Sequence, residues 1–228
     1  MGGTPKMTDG RGTPDPESFE PDLAAWDAWQ PEDVSTLLAE VRAPWYVTGG
    51  WALDLFLGYE HRAHEDLEIA VPHHRFDEIA EALAGYEFFV IADDRVWPLA
   101  RAGNLLATEH QTWVREQATG RWRLDIFREP SAGDLWVCRR DSRLQLPYER
   151  LIALTDDGIP YAQPEVVLLF KAKAMRPKDA SDFAAVLPQL APDQRHWLRE
   201  ALKIVHPGHP WVADLQEEVA VSQTMESG

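Results

Sequence analysis

The chain has 228 residues, 45% of them hydrophobic and 26% charged, and a formal net charge of −16. That length allows a substantial core in a single catalytic unit, and no apolar run approaches the roughly 18 residues that suggest a membrane span. The excess of acid argues against broad binding along a nucleic-acid backbone, which needs clustered Lys and Arg, and favours a cationic partner by steering.

Residues 1–20 are rich in Gly, Pro, Thr, Asp and Glu without apolar periodicity, which predicts a disordered tail. Acids at Glu32 and Asp33 open a helix expected through Val34, Leu37, Leu38 and Val41, ending before Pro44. Trp45-Tyr46-Val47 reads as the first strand. A Gly49-Gly50 turn follows, then a helix over Ala52 to Leu57 stopped by Gly58. Asp66 to Val71 is the next strand, and Phe76, Ile79, Ala80 and Leu83 mark a helix over Arg75 to Leu83. Further strands are expected over Glu87 to Ile91, Leu105 to Glu116 and Trp122 to Phe127, with Thr119-Gly120 turning into the last.

Beyond Ile159 the pattern becomes helical, over Glu165 to Met175, Lys178 to Leu187 and Asp193 to Val205, with prolines at the boundaries. The expected fold is α/β (α+β): a mixed-sheet catalytic domain over 21–158 and a small C-terminal helical region over 159–228. Cys138 is the only cysteine, which excludes an intrachain disulfide and a cysteine-rich zinc site. Together with an N-terminus lacking an apolar signal core, this predicts a cytoplasmic protein.

Chemistry concentrates in two segments. In His64-Glu65-Asp66-Leu67-Glu68-Ile69-Ala70-Val71, the carboxylates of Asp66 and Glu68 stand at i and i+2, so on a strand both leave one face. Two hard oxygen ligands side by side suit Mg²⁺, which completes its octahedron with water and substrate phosphates. Gly49 and Gly50 let backbone amides approach a phosphate, and the helix after them aims its positive end at the same anion. A third carboxylate, Asp125, sits among Leu124, Ile126 and Phe127. A charge in such a strand is rare unless paired or metal-bound.

With these motifs the chain, from Trp45 to Trp211, resembles the polymerase-beta-like nucleotidyltransferases, and within them the aminoglycoside-2''-adenylyltransferase and lincosamide nucleotidyltransferase families. The carriers are Val47 to Asp54, His64 to Val71, Arg123 to Ile126, Pro164 to Lys173 and Lys178 to Phe183. One departure is Glu68, where the family pair commonly has a second Asp. The resemblance implies that Asp66, Glu68 and Asp125 hold one or two Mg²⁺ ions. It also implies an NTP, ATP in the first instance, as co-substrate, and a small-molecule hydroxyl as acceptor. Asp125 is the candidate base, or only a ligand of the metal that acidifies the acceptor.

Lys171, in an otherwise apolar helix segment, is by the resemblance a phosphate clamp, or else a lysine whose stem lies on the core while its head reaches water, with Lys173 a weaker substitute. Arg62 and His64 precede the acid pair, as triphosphate contacts or as loop surface. Asp54, Asp179 and Asp182 read as helix caps, and the histidines at 73–74 and 206–209 as loop ends. Glu109, Glu116 and Asp134 are offered as walls of a cationic acceptor pocket, or as ordinary exposed acids. Two other functions stay open: nucleotidylation of a protein or RNA end, as in toxin–antitoxin relatives, and nucleotide binding without turnover.

Overall fold

The computed structural model describes residues 18–216. In chain order it holds α1 (Pro31–Leu37), β1 (Tyr46–Thr48), α2 (Gly49–Leu57), β2 (Glu68–Pro72) and α3 (Phe76–Ala82). Next come β3 (Glu87–Ala92), β4 (Arg95–Pro98), α4 (Leu105–Thr108), β5 (Gln111–Arg115) and β6 (Trp122–Glu129). A small sheet of β7 (Ser131–Ala132), β8 (Leu135–Val137) and β9 (Gln145–Pro147) leads to α5 (Tyr148–Leu151), β10 (Ile152–Leu154) and β11 (Pro160–Ala162). The chain finishes in α6 (Pro164–Lys171), α7 (Pro177–Val186), α8 (Pro192–Val205) and α9 (Trp211–Asp214).

Eight strands form one mixed sheet in the order β10-β11-β1-β2-β6-β5-β3-β4. Inside it β2 runs antiparallel to β1 and parallel to β6, which sets Glu68 opposite both Thr48 and Asp125. Prolines stand in the first turn of α1, α6, α7 and α8, where their missing N–H costs nothing. Gly58 ends α2 in the left-handed conformation, φ 77°, while its N–H bonds to the Asp54 carbonyl. The main apolar core joins Val47, Ile69 and Ile126 of the sheet to Val167 and Leu168 of α6, Phe183 of α7, Leu198 of α8 and Trp211 of α9, and Phe89, Val96 and Trp122 form a second cluster.

Several expectations shift. Residues 1–17 of the expected tail lie outside the described residues, while Phe19 exchanges backbone bonds with Val96 at the edge strand β4. Leu105 to Thr108, expected as strand, is a helical turn, because Glu109 N–H closes back on the Leu105 carbonyl at 2.9 Å. α1 stops at Leu37 and α6 at Lys171, each shorter than its apolar pattern. The strands β4 and β7 to β11 lie in stretches where no strand was expected. β11, beyond the expected boundary at residue 158, lies inside the main sheet beside β1.

Candidate active site

β1 delivers the chain to Gly49 and Gly50 at the start of α2, and a side chain at either would crowd its neighbours. Gly49 has φ +67°, and a Cβ there would sit on the Glu68 carboxylate; a Cβ on Gly50 would strike Arg62 and His64. The Glu68 carboxylate thus leans on the glycine at the N-terminus of α2, the place where an anion gains most from free N–H groups.

Glu68 opens β2, with Asp66 two residues before it in the preceding loop rather than on the strand. Across the parallel ladder, Glu68 pairs with Asp125. Asp125 is 2% exposed. Its Oδ2 accepts from Gln111 Nε2 at 2.5 Å, and its Oδ1 is buried without a hydrogen bond. Burial, then the Glu68 charge, holds its carboxyl well above the usual carboxylate range, against the pull of the Gln111 hydrogen bond. Glu68 is pushed up to about 7 by burial and then by Asp66, while Lys171 and Lys178 pull the other way.

Such a set, crowded and costly to ionise without a counter-charge, fits a divalent cation. Among the described residues no three His, Cys, Asp or Glu side chains converge on a metal position as they stand. Magnesium needs only one or two protein carboxylates, and Glu68 and the orphaned Asp125 oxygen can supply them.

Beneath this pair lies a charged network. Asp182, fully buried, accepts from Arg62 Nε at 2.7 Å and Nη2 at 3.1 Å, faces His61 Nε2 at 2.7 Å and pairs with Lys171 Nζ at 2.7 Å. Asp54, 4% exposed, holds His64 Nε2 at 2.6 Å and His61 Nδ1. The hydrogen bond to Asp182 leads the causes that raise Arg62, and burial lowers His64 despite Asp54. Asp54 and Asp182 are therefore not caps; they fix the loop 61–64 that precedes the acid pair. Asp179 does cap α7, accepting from the Arg176 N–H at 3.0 Å. Lys171 finds an anion inside the protein at Asp182 and also lines both narrow cavities beside Glu68.

Three cavities meet at Glu68. One, of about 200 Å³, runs from Gly49 past Lys171 and Arg176 to Phe127, Arg139 and Phe170. A second, of about 230 Å³, joins Gly50, Arg62, His64 and Asp66 to Lys171, Arg176 and Lys178. The third, of about 830 Å³, holds Asp125 and Gln111 among Trp26, Trp51 and Trp113, with Asp27 and Glu65 and no Lys or Arg.

Gly49, Gly50, Arg62, His64, Asp66, Glu68, Asp125 and Lys171 thus gather in one place, with Asp125 on the far side of Glu68 from Lys171. Glu109, Glu116 and Asp134 do not line the large cavity, and Glu116 is held by Arg123 at 2.7 Å. Lys173 lines none of the three. His206 and His209 bond to Arg140 and to the Ala172 carbonyl. Arg139, Arg176, Lys178 and the three tryptophans escaped the sequence reading; only the Arg176-Pro177-Lys178 run beside an expected helix start offered a signal.

Residues 32–102 match the family model described as aminoglycoside-2''-adenylyltransferase. Among solved structures, the chain is similar to ANT(2'')-Ia in complex with adenylyl-2''-tobramycin, at 14% identity and TM-score 0.53, covering 76% of this chain and 94% of that one. A solution structure of the antibiotic-resistance factor ANT(2'')-Ia gives 14% identity and TM-score 0.51 over 80% and 91% of the two chains. The lincosamide antibiotic adenylyltransferase LnuA, lincomycin-bound, gives 17% identity and TM-score 0.49 over 68% and 93%. None of the curated proteins compared with the chain matches it. The matched segment holds the Gly49-Gly50 turn and the Asp66 and Glu68 pair, and the fold is similar to that of the ANT(2'')-Ia structures.

Proposed function

We propose that this nucleotidyltransferase moves AMP from ATP, with Mg²⁺, to a hydroxyl of a small cationic molecule of the aminoglycoside or lincosamide kind. The observation that carries the reading is the two-sidedness of the site. Asp125 opens only into the wide, acidic, tryptophan-lined cavity, and the glycine turn opens only into the two narrow, cation-lined ones. At about 830 Å³ the first falls in the range of drug-sized ligands, roughly 300–1,000 Å³, and the others lie below it. An acceptor with amines suits the wide side: carboxylates attract its charge, and indole faces take its apolar surface and cations.

In this reading Asp66, Glu68 and Asp125 hold the metal, which supplies charge stabilisation at the reacting phosphate. The chain's own groups orient the reactants. Gly49 and Gly50 bring the α2 N-terminus against the triphosphate, and Arg62 and His64 border it from a loop fixed by Asp54 and Asp182. Asp125 takes the acceptor hydroxyl's proton. A raised carboxyl is a better proton acceptor near neutral pH than an ordinary one. The lone, buried Cys138 fits a reducing cytoplasm.

The test is pyrophosphate release with each NTP against aminoglycosides, lincosamides and total tRNA. Release with one NTP and one antibiotic class supports the reading. Release with tRNA alone would move the acceptor to nucleic acid, and no release in any row would leave nucleotide binding without turnover.

A further inference from the structure

Four cations line the cavity between Gly50 and the start of α7, and three are already engaged. Arg62 and Lys171 share Asp182, each at 2.7 Å. Arg176 holds Asp179 with two donors, Nε at 2.9 Å and Nη2 at 3.1 Å. Lys178, in the first turn of α7, is exposed, lines the same cavity as Asp66 and Glu68, and has no ion-pair partner among the described residues. The fixed three define a wall, whereas an unpaired ammonium on a flexible four-carbon stem can follow a polyphosphate chain.

The direction of the reaction points to the same residue. In an in-line displacement the attacking and leaving oxygens lie on opposite sides of phosphorus. Asp125 belongs to the wide cavity and is absent from the one lined by Lys178, with His64, Glu65, Asp66 and Glu68 on the wall common to both. An acceptor entering on the Asp125 side drives its leaving group out on the Lys178 side.

We propose that Lys178 binds the β- and γ-phosphates of the NTP and stabilises the departing pyrophosphate. The proposal rests on the nucleotidyl-transfer reading above. The acceptor oxygen bonds to the α-phosphorus and its proton passes to Asp125. The bond from the α-phosphorus to the α,β-bridging oxygen breaks, and its electron pair leaves with pyrophosphate. Charge grows on that oxygen as the bond lengthens, so an ammonium beside it is worth more in the transition state than before it. Burial at Asp182 makes Lys171 a support for the wall and leaves the mobile contact to Lys178.

The experiment is calorimetric titration of pyrophosphate, ATP and AMP, each with Mg²⁺, into wild type, Lys178→Met, Lys178→Arg and the control Lys203→Met. Lys203 is an exposed residue of α8 paired with Glu200. Lys178 is exposed, so its variants should fold. Pyrophosphate and ATP affinity should fall at least about tenfold in Lys178→Met, the cost of one lost charge-assisted hydrogen bond. Lys178→Arg should recover part of it, while AMP affinity and the control stay within about twofold of wild type. Wild-type pyrophosphate and ATP affinity in Lys178→Met, or an equal loss for AMP, would overturn the role of Lys178. A wild type that binds none of the three would remove the nucleotidyl-transfer reading itself, and the proposal with it.

Discussion

In the proposed reaction Asp125 is the residue on which binding and chemistry part. Its neighbours Leu124 and Ile126 point to the other face of β6, so Asp125→Asn keeps both size and packing. Mg·NTP affinity, read by calorimetry, should persist through Asp66 and Glu68, while turnover falls by at least about 10²-fold, the low end for losing a positioned proton acceptor. Normal turnover would remove Asp125 from the site. Asp66→Ala should abolish transfer without loss of fold.

Glu68 predicts a pH signature. Its folded carboxyl stands at about 7 against an unfolded value near 4.5, so the folded state binds the extra proton between them. That stabilisation is full below the unfolded value and is lost as pH rises through 7. The melting temperature of the metal-free protein should therefore drop more steeply from pH 5 to 8 in wild type than in Glu68→Gln. Glu165, also near 7, contributes equally to both and cancels in the comparison. Saturating Mg²⁺ should shrink the difference by favouring the ionised form. Parallel pH curves for the two proteins would show that Glu68 is not held protonated.

At the level of elements, the glycine turn and α2 carry the geometry. Gly49→Ala meets both a left-handed backbone, a cost of about 1–2 kcal/mol, and the Glu68 side chain. Urea denaturation should show at least that loss, and pyrophosphate release should fall with it. An unchanged midpoint would mean that the turn relaxes.

The helices α6 and α7 and the loop 61–64 meet through Asp182, whose removal leaves the half-buried Arg62 and the buried Lys171 without their partner. Asp182→Ala should cost about 3–5 kcal/mol by the same assay, the range for stripping one member of a buried ion pair.

Asp66 and Glu68 are close in sequence but Asp66 lies in the loop before β2, while the turn of two adjacent glycines was legible because it is local. The Asp182 network was not, since Arg62 and its acceptor lie 120 positions apart and no periodicity connects them. The apolar neighbours of Lys171 signal burial but not that Asp182 waits there. The short strands β7 to β11, of two or three residues each, offer no alternation to read, and β11 took its place in the sheet by pairing with β1.

On the scale of the whole molecule, helices and sheet share one core, and the site lies where they meet. A nucleotide bridging Glu68, the α2 N-terminus and α7 should stiffen that junction. Mg·ATP should raise the melting temperature by mass action, and ATP with excess chelator should do so far less. Equal shifts with and without metal would point to a different nucleotide pocket.

In the proposed reaction the wide cavity adds the other half, since only an acceptor seated beside Asp125 turns binding into transfer. The most direct measurement is mass spectrometry of a panel of aminoglycosides and lincosamides after incubation with ATP, Mg²⁺ and either wild type or Asp125→Asn. The account predicts one antibiotic class gaining the mass of a single adenylyl group, with pyrophosphate in equal amount, in wild type alone and only with the metal. Antibiotics left unmodified while ATP is cleaved, or adenylylated to the same extent by Asp125→Asn, would contradict it.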